Sequence, residues 1–468
     1  MHQNIMRFLL LALLGLWVAA CGSSDDKSKD DADDSDSSTI PPGGWDTEPD
    51  PYHGDDDVLK TDDYSAIPGG IDVKDAPMFV TLGFDDNAFA DGVNWITDFL
   101  RKKKNADGTP ARISFYMTTG HVSDDPEVFS MYAEPRANAD LAAVVDSWRT
   151  AYEDGHEVGN HTHHHFNGFP KWETGKTDDD VFTVEQWADE MERANHYLSE
   201  DPDGPGIPAS EVTGFRTPFL AYSDMTMAAA AQVGFDYDCS IEDGWQGSMN
   251  GTNFPWPYDL KDGSPGDNYS YTWGNLKRDP VGSHPGLWEM PVLPMIAPPD
   301  YRVAEYGLPT GFRAMCKSRV SYFSTEDGKI TGFDYNMWEH TENFSLTGDE
   351  VLAVLKYSLD LRLKGNRAPF MLGVHTDEYT DENPYFKPRN STVADRRKAI
   401  EDFLDYALSK KEVRVVPVRD ILAWVKAQKG ADNTDPVDTE TDPVDTETDP
   451  VGTDTDPVDT DTDGTDTE

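Results

Sequence analysis

Four short segments of the chain place chemically able side chains straight after apolar runs. The first, Thr81-Leu82-Gly83-Phe84-Asp85-Asp86, ends in two adjacent carboxylates. Like charges this close are costly unless a cation or hydrogen-bond donors offset them. Taken alone, such a pair is more often a solvated turn than a site. The second segment, His161 to His165, holds four imidazoles in five residues. His161 and His165 stand at i and i+4, so a helical turn would let both converge on one metal ion. Chance surface binding and a hydrogen-bonded cluster are the plainer readings, and four histidines in so short a stretch outweigh them. The third, Gly214 to Phe219, carries Arg216, whose planar fork can orient a carboxylate or make a structural salt bridge. The fourth, Phe370 to Asp377, puts His375 where an apolar strand stops. A lone histidine there is weak evidence. Beside the other three segments it supplies the proton donor that metal-assisted hydrolysis needs.

The elements around these segments alternate. Strands are expected at 79–84, 113–117, 157–160, 212–215, 235–240, 288–293, 370–374 and 413–417. Helices are expected at 93–103, 141–152, 226–232, 395–409 and 421–429. Another helix runs through Trp187, Met191 and Leu198, with Thr183 and Gln186 spaced as a capping box. Strand, helix, strand at this spacing argues an α/β fold with strands buried on both faces. Seven or eight strands suit a distorted (β/α) barrel better than a small doubly wound sheet. Residues 241–345 break the rhythm and read as a long loop-rich insertion. Its aromatic residues, Trp245, Trp256, Tyr258, Tyr269, Tyr271 and Trp273, are candidates for sugar-stacking platforms or for packing within the inserted loops.

The ends differ in kind from the middle. An apolar run from Phe8 to Ala20, too short for a stable membrane span, is read as a signal peptide over residues 1–20. Small residues before Cys21 resemble a bacterial lipoprotein processing site, so Cys21 is the expected point of lipidation. Residues 21–70 read as an acidic disordered linker, 71–430 as the catalytic domain, and 431–468 as an acidic disordered tail of heptapeptide repeats. One valine and one proline per seven residues cannot build a coiled-coil seam. Weak calcium binding by the tail's carboxylates is the lesser reading. Cys239 and Cys316 are too few for a disulfide scaffold, and whether they pair stays open.

The formal charge is −49, with 15 acidic and no basic residues in 432–468. Residues 25–63 add 15 acidic against three basic. The remainder is still acidic, which argues against nucleic acid or an anionic membrane surface as the main partner. A neutral or cationic polymer fits better. Solubility of an exported protein explains the same charge equally well.

In this order, the four segments resemble the polysaccharide deacetylase family (NodB-homology, carbohydrate esterase family 4) over roughly residues 75 to 427. Within it they are most like the chitin deacetylases of arthropods, through Phe84-Asp85-Asp86, Arg216-Thr-Pro-Phe-Leu220, Ser283-His-Pro285 and Trp288-Glu-Met290. The resemblance implies Asp86, His161 and His165 as ligands of a divalent metal, with Zn2+ suited to that nitrogen and oxygen set. It implies Asp85 as catalytic base, His375 as acid, Arg216 as the tether of the base, and the Phe219 N–H as an oxyanion donor. Asp238 matches the aspartate that supports His375, an assignment made softer by Asp236 two residues away. His163 and His164 are expected beside the ligands or at the surface.

Asn87 stands where many bacterial members have glycine, Gly83 where threonine or isoleucine is commoner, and Phe219 where tyrosine is usual. The implied substrate is an N-acetylated polysaccharide, chitin or peptidoglycan, releasing acetate. An O-acetyl ester deacetylase of xylan or another glycan is the serious rival, since the same water attack serves an ester. A non-catalytic carbohydrate-binding surface lipoprotein would need the aromatics but not Asp85, Arg216 and His375. The expected setting is a monomeric, exported bacterial lipoprotein of the cell envelope, touching the outer membrane only through its lipid anchor.

Overall fold

The computed structural model describes residues 57–61, 64–123, 140–168, 181–265, 281–339 and 343–431. The expected signal peptide, Cys21, most of the linker, the repeat tail, and Tyr269, Tyr271 and Trp273 lie outside the described residues.

The fold is built on β1 (Met78–Asp85), eight residues that are all buried. An apolar run with no polar face suits a parallel sheet covered on both sides. The chain continues through α1 (Ala90–Leu100), β2 (Ser114–Met117), α2 (Leu141–Glu153), β3 (Glu157–Asn160), α3 (Val184–Ser199), β4 (Gly214–Phe215), α4 (Asp224–Val233) and β5 (Tyr237–Asp238). The less regular section holds β6 (Tyr258–Asp259), β7 (Trp288–Glu289), β8 (Met295–Ile296), α5 (Phe312–Arg319), β9 (Lys329–Ile330) and α6 (Asp334–Trp338). It is followed by α7 (Gly348–Lys364), β10 (Phe370–His375), α8 (Val393–Leu408), β11 (Val413–Val415) and α9 (Val418–Ala431).

The sheet runs β10-β1-β2-β3-β4-β5-β7-β6, with β11 paired to the start of β1. All of its pairings are parallel except β6 on β7. This curled sheet with helices packed outside it is a distorted (β/α) barrel, as the alternation of elements implied. β8 and β9 form a separate antiparallel pair.

Local chemistry sets the helix ends. Thr183 and Gln186 close the expected capping box at α3. Ser223 caps α4, and Gly234 ends it in a left-handed conformation that glycine adopts without cost. The helix α7, opened by its own Thr347–Glu350 capping box, lies where no element was expected. Cys239 and Cys316 are both buried and free, so they do not pair.

Because the strands are parallel, their C-terminal ends share one rim, where barrel sites sit. Asp85 ends β1, His161 follows β3, Arg216 follows β4 and His375 ends β10. α1 packs closely on this rim: a Cβ on Gly92 would lie 2.3 Å from the Thr376 carbonyl oxygen, next to His375. The obstacle is backbone, so it cannot swing aside. Gly92→Ala is expected to lower stability by about 1–3 kcal/mol through overpacking, read as a lower urea midpoint with an unchanged slope.

Candidate active site

The end of β1 separates its two carboxylates by backbone conformation. Asp86 and Asn87 both take left-handed φ, 65° and 66°. The chain therefore turns sharply, and the two aspartates meet different partners. Asn87 accounts for its departure from glycine: asparagine tolerates this conformation, and its side chain is used. Its amide donates to the carbonyls of Phe84 and Tyr116 at 2.9 and 3.0 Å, and its oxygen accepts from Thr376.

Asp85 is buried and accepts from Arg216 Nη1 through Oδ1 at 2.7 Å. Arg216 is wholly buried and also donates to the carbonyls of Gly83 and Cys239 at 3.0 Å each. Its guanidinium lies over the Tyr116 ring, 4.4 Å from the centroid. A Cβ on residue 83 would sit 2.8 Å from Arg216 Nη2, so the glycine there makes room for the guanidinium. Burial pushes the Asp85 carboxyl up from its usual range, and Arg216 opposes that rise.

Asp86 faces the histidines. Its Oδ1 lies 3.3 Å from His165 Nε2 and 3.9 Å from His161 Nε2, and it accepts from Thr118. The His161 and His165 ring centres are 5.0 Å apart. Two imidazoles on one tetrahedral ion at ~2.0–2.1 Å would have centres about 5 Å apart. His161 Nδ1 donates to the Arg216 carbonyl at 2.8 Å, which turns Nε2 toward Asp86. Burial pushes both imidazoles down to about 4, so at neutral pH they are the neutral form that ligates metal. The three residues therefore fit a small divalent cation with open positions. The expected helical turn is absent. Left-handed backbone at Thr162 (φ 68°) and His165 (φ 56°) brings the rings together instead. Six of the eight left-handed non-glycine residues among those described lie in these loops: Asp86, Asn87, Thr162, His165, Phe219 and Leu220. Such strain concentrates where function over-determines the backbone.

His375 pairs in register with Asp85 across β1 and β10. Its Nδ1 donates to Asp334 at 3.0 Å, and Glu378 lies 3.9 Å away. Burial would push this imidazole down, but Asp334, then Glu378 and Asp85, outweigh it and hold it well above its ordinary value. The protonated form of His375, with a proton to give, is thus favoured. The same trio could also group around a cation of its own.

Asp238 does not support His375. Both its oxygens accept from Ser240, at 2.8 Å each, and it sits on β5 while His375 ends β10. The supporting carboxylate is Asp334, from the start of α6 in the irregular insertion, where no spacing signal marked it. His121 was also missed. It is buried at the end of the 3-10 turn Thr119–His121, 6.4 Å from His165 between ring centres, and its charge acts on Asp86. That separation exceeds what two ligands of one tetrahedral ion need, so His121 stands one contact outside the three. Its signal was a polar run straight after β2, the pattern that marked the other segments.

His163 and His164 are buried, not exposed; His163 pairs with Thr119 and His164 with Glu190, at 2.8 and 2.7 Å. Trp256 and Tyr258 are core residues, with Trp256 packed on Trp424, so they offer no sugar platform. The aromatic rings that flank the site are Phe219, 4.6 Å from His165, and Tyr335, 5.8 Å from His375, both substantially exposed.

A buried Asp-His-His set, a tethered carboxylate and a charged imidazole along one barrel rim define a hydrolase site. Residues 72–237 match the family described as "Polysaccharide deacetylase". Through that segment the chain is similar to the polysaccharide deacetylase family, carbohydrate esterase family 4, a family of hydrolases. The match includes Asp85, Asp86, His161, His165 and Arg216 and ends before Asp334 and His375. Chitin deacetylase 8 of Bombyx mori is 26% identical over 360 residues, which cover 77% of this chain and 73% of that one. Chitin deacetylase 1 of the same species is 22% identical over 373 residues, 79% of this chain and 55% of that one. A solved putative polysaccharide deacetylase from Mycobacterium smegmatis aligns over 79% of this chain and 96% of its own, with 15% identity and a TM-score of 0.43.

Arg216→Ala should separate binding from turnover. We expect kcat to fall by roughly 10²-fold or more, the scale of general-base catalysis, while zinc affinity stays within several-fold. Metal titration of the purified variant beside its turnover per bound metal checks this. Loss of the metal with turnover per metal intact would contradict the tether.

Proposed function

We propose that this protein hydrolyses N-acetyl groups on an N-acetylglucosamine-containing polysaccharide, chitin or peptidoglycan, and releases acetate. The observation that carries the reading is the register pairing of Asp85 with His375, with Asp86, His161 and His165 grouped beside it. The likeness to two chitin deacetylases favours an amide of a β-linked amino sugar as substrate.

Asp86, His161 and His165 would hold a divalent ion, most suitably zinc given two imidazoles, one carboxylate and no thiolate. Such an ion, when bound, lowers the pKa of a coordinated water and polarises the acetyl carbonyl. The chain's own residues do the rest. Arg216 occupies Asp85 Oδ1, and Oδ2 lies 4.0 Å from His161 Nε2, facing the ligand set. That oxygen is placed to take the proton of the attacking water. The Phe219 N–H, in the left-handed turn Pro218–Leu220, is the candidate donor to the developing oxyanion. His375, kept charged by Asp334, gives its proton to the departing nitrogen. Phe219 and Tyr335 offer flat faces to a sugar on either side.

An O-acetyl ester on xylan or another glycan would need the same residues. The proposal keeps the lipid anchor at Cys21, the envelope location and a monomeric state as further parts of the reading.

Acetate release from chitin oligomers, peptidoglycan and acetylxylan, with zinc, with chelator and with Asp85→Asn, tests the reading. Release from an N-acetylated polymer that chelator and D85N both abolish is expected. Release from acetylxylan alone would move the assignment to the ester. The pH profile tests the acid. Activity should be lost as pH rises through the His375 pKa, because only the protonated ring can donate. Asp334→Asn removes the carboxylate that raises it, so the basic limb should shift to lower pH; an unmoved limb would contradict the pairing.

A further inference from the structure

Asp238 and Glu289 form a second pair of carboxyl groups, deeper than the first. They are register partners on the parallel strands β5 and β7, so both side chains leave the same face of the sheet. Both are wholly buried. The hydrogen bonds around them fix where a proton belongs. Asp238 Oδ2 accepts from the Ser240 N–H and Oδ1 from the Ser240 hydroxyl, each at 2.8 Å. Glu289 Oε1 accepts from the Ile241 N–H at 3.1 Å, and Oε2 has no donor. Two adjacent buried carboxylates cannot both ionise without large cost. A proton on Glu289 Oε2, donated to Asp238, satisfies the one orphaned oxygen and removes the repulsion. It also leaves Asp238 as the acceptor that Ser240 requires.

The consequence reaches the site through one more bond. The Ser240 hydroxyl, while donating to Asp238, accepts from the Thr217 N–H at 2.8 Å. Thr217 lies between Arg216 and the turn that carries Phe219. The carbonyl of Cys239, just after β5, accepts from Arg216 Nε.

We propose that Glu289 is a positioning residue: it shares one proton with Asp238 and, through Asp238, Ser240 and Thr217, sets the segment that presents Arg216 and the Phe219 N–H. This role deepens the deacetylase reading and rests on it, while the shared proton itself does not. The ionisable groups that bear on the pair are Arg216 just after β4, Cys239 beside Asp238, and Tyr258 from β6. Arg216 is the only cation among these and lowers both carboxyls. Burial outweighs it, pushing Asp238 up to about 6 and, with the charge of Asp238, holding Glu289 well above the usual carboxylate range.

Two measurements on the full-length, zinc-loaded protein test this. Infrared spectroscopy at pH 8 should show the C=O stretch of a buried protonated carboxylic acid, absent in Glu289→Gln. The glutamine amide can donate to Asp238 and accept from Ile241 as the acid does, so E289Q should keep kcat within a few-fold. Ser240→Ala breaks the relay and should lower kcat about 10-fold, the equivalent of ~1.4 kcal/mol for one lost buried hydrogen bond, with KM and zinc affinity little changed. A wild-type spectrum without the acid band, or one unchanged in E289Q, overturns the shared proton whether or not acetate is released. With the band assigned, S240A at full kcat, or E289Q as impaired as Glu289→Ala, overturns the positioning role. Should E289A fail to fold, E289Q and S240A still decide.

Discussion

Two neighbouring carboxylates in a dry interior repel each other, and the end of β1 is organised around that repulsion. At a separation of ~4 Å and an effective dielectric near 20, two like charges cost about 4 kcal/mol, as much as a large core cavity. Left-handed backbone at Asp86 and Asn87 points the two aspartates apart, and each is then given its own positive partner. Asp85 receives a fixed guanidinium that cannot lose its proton. Asp86 receives two imidazoles that burial keeps neutral, an arrangement that the proposed cation would complete. The same charge on adjacent residues thus suits the proposed base on one side and the proposed ligand on the other. The difference is one of environment alone.

That division explains why the rim is so strained and so closely packed. Gly83 and Gly92 leave no room for a methyl group beside Arg216 or Thr376, and Asn87 ties β1, β2 and the loop after β10 through one side chain. Arg216 reaches the carbonyls of Gly83 on β1 and of Cys239 after β5, so one side chain ties both strand ends to the segment that leads to Phe219. The Asp238–Glu289 carboxyl pair extends the same logic, with a proposed proton where the first pair has an arginine and a group suited to a cation.

Much of this was legible in the sequence. β3 fell on the residues read for it, and most helices matched within a few positions, because their apolar periodicity and capping residues act locally. Asp85, Asp86, His161, His165, Arg216 and His375 stood out because polar residues directly after apolar parallel strands collect on one rim. What was not legible depends on tertiary contact. Asp334 opens the short helix α6 within the irregular insertion, where neither period nor cap announces which side chain will meet His375. Asp238 was itself the expected supporting aspartate, yet its carboxylate accepts from Ser240 instead. The convergence of His161 and His165 was read correctly for the wrong reason: two left-handed residues do what a helical turn was expected to do. The aromatic residues of the insertion misled because core packing and sugar stacking draw on the same side chains. Trp256 turned inward, while Phe219 and Tyr335 were left at the site.

The proposed function requires a single cation at the C-terminal end of β1, and two groups there could hold it. Asp86, His161 and His165 form one ligand-competent group, and Asp334, His375 and Glu378 form the other. Anomalous diffraction at the zinc absorption edge, from crystals grown with one equivalent of zinc, distinguishes them directly. The account predicts one peak within ~2.0–2.2 Å of Asp86 Oδ1 and the Nε2 atoms of His161 and His165. A peak centred on Asp334, His375 and Glu378 instead would make His375 a ligand rather than the acid and would contradict it.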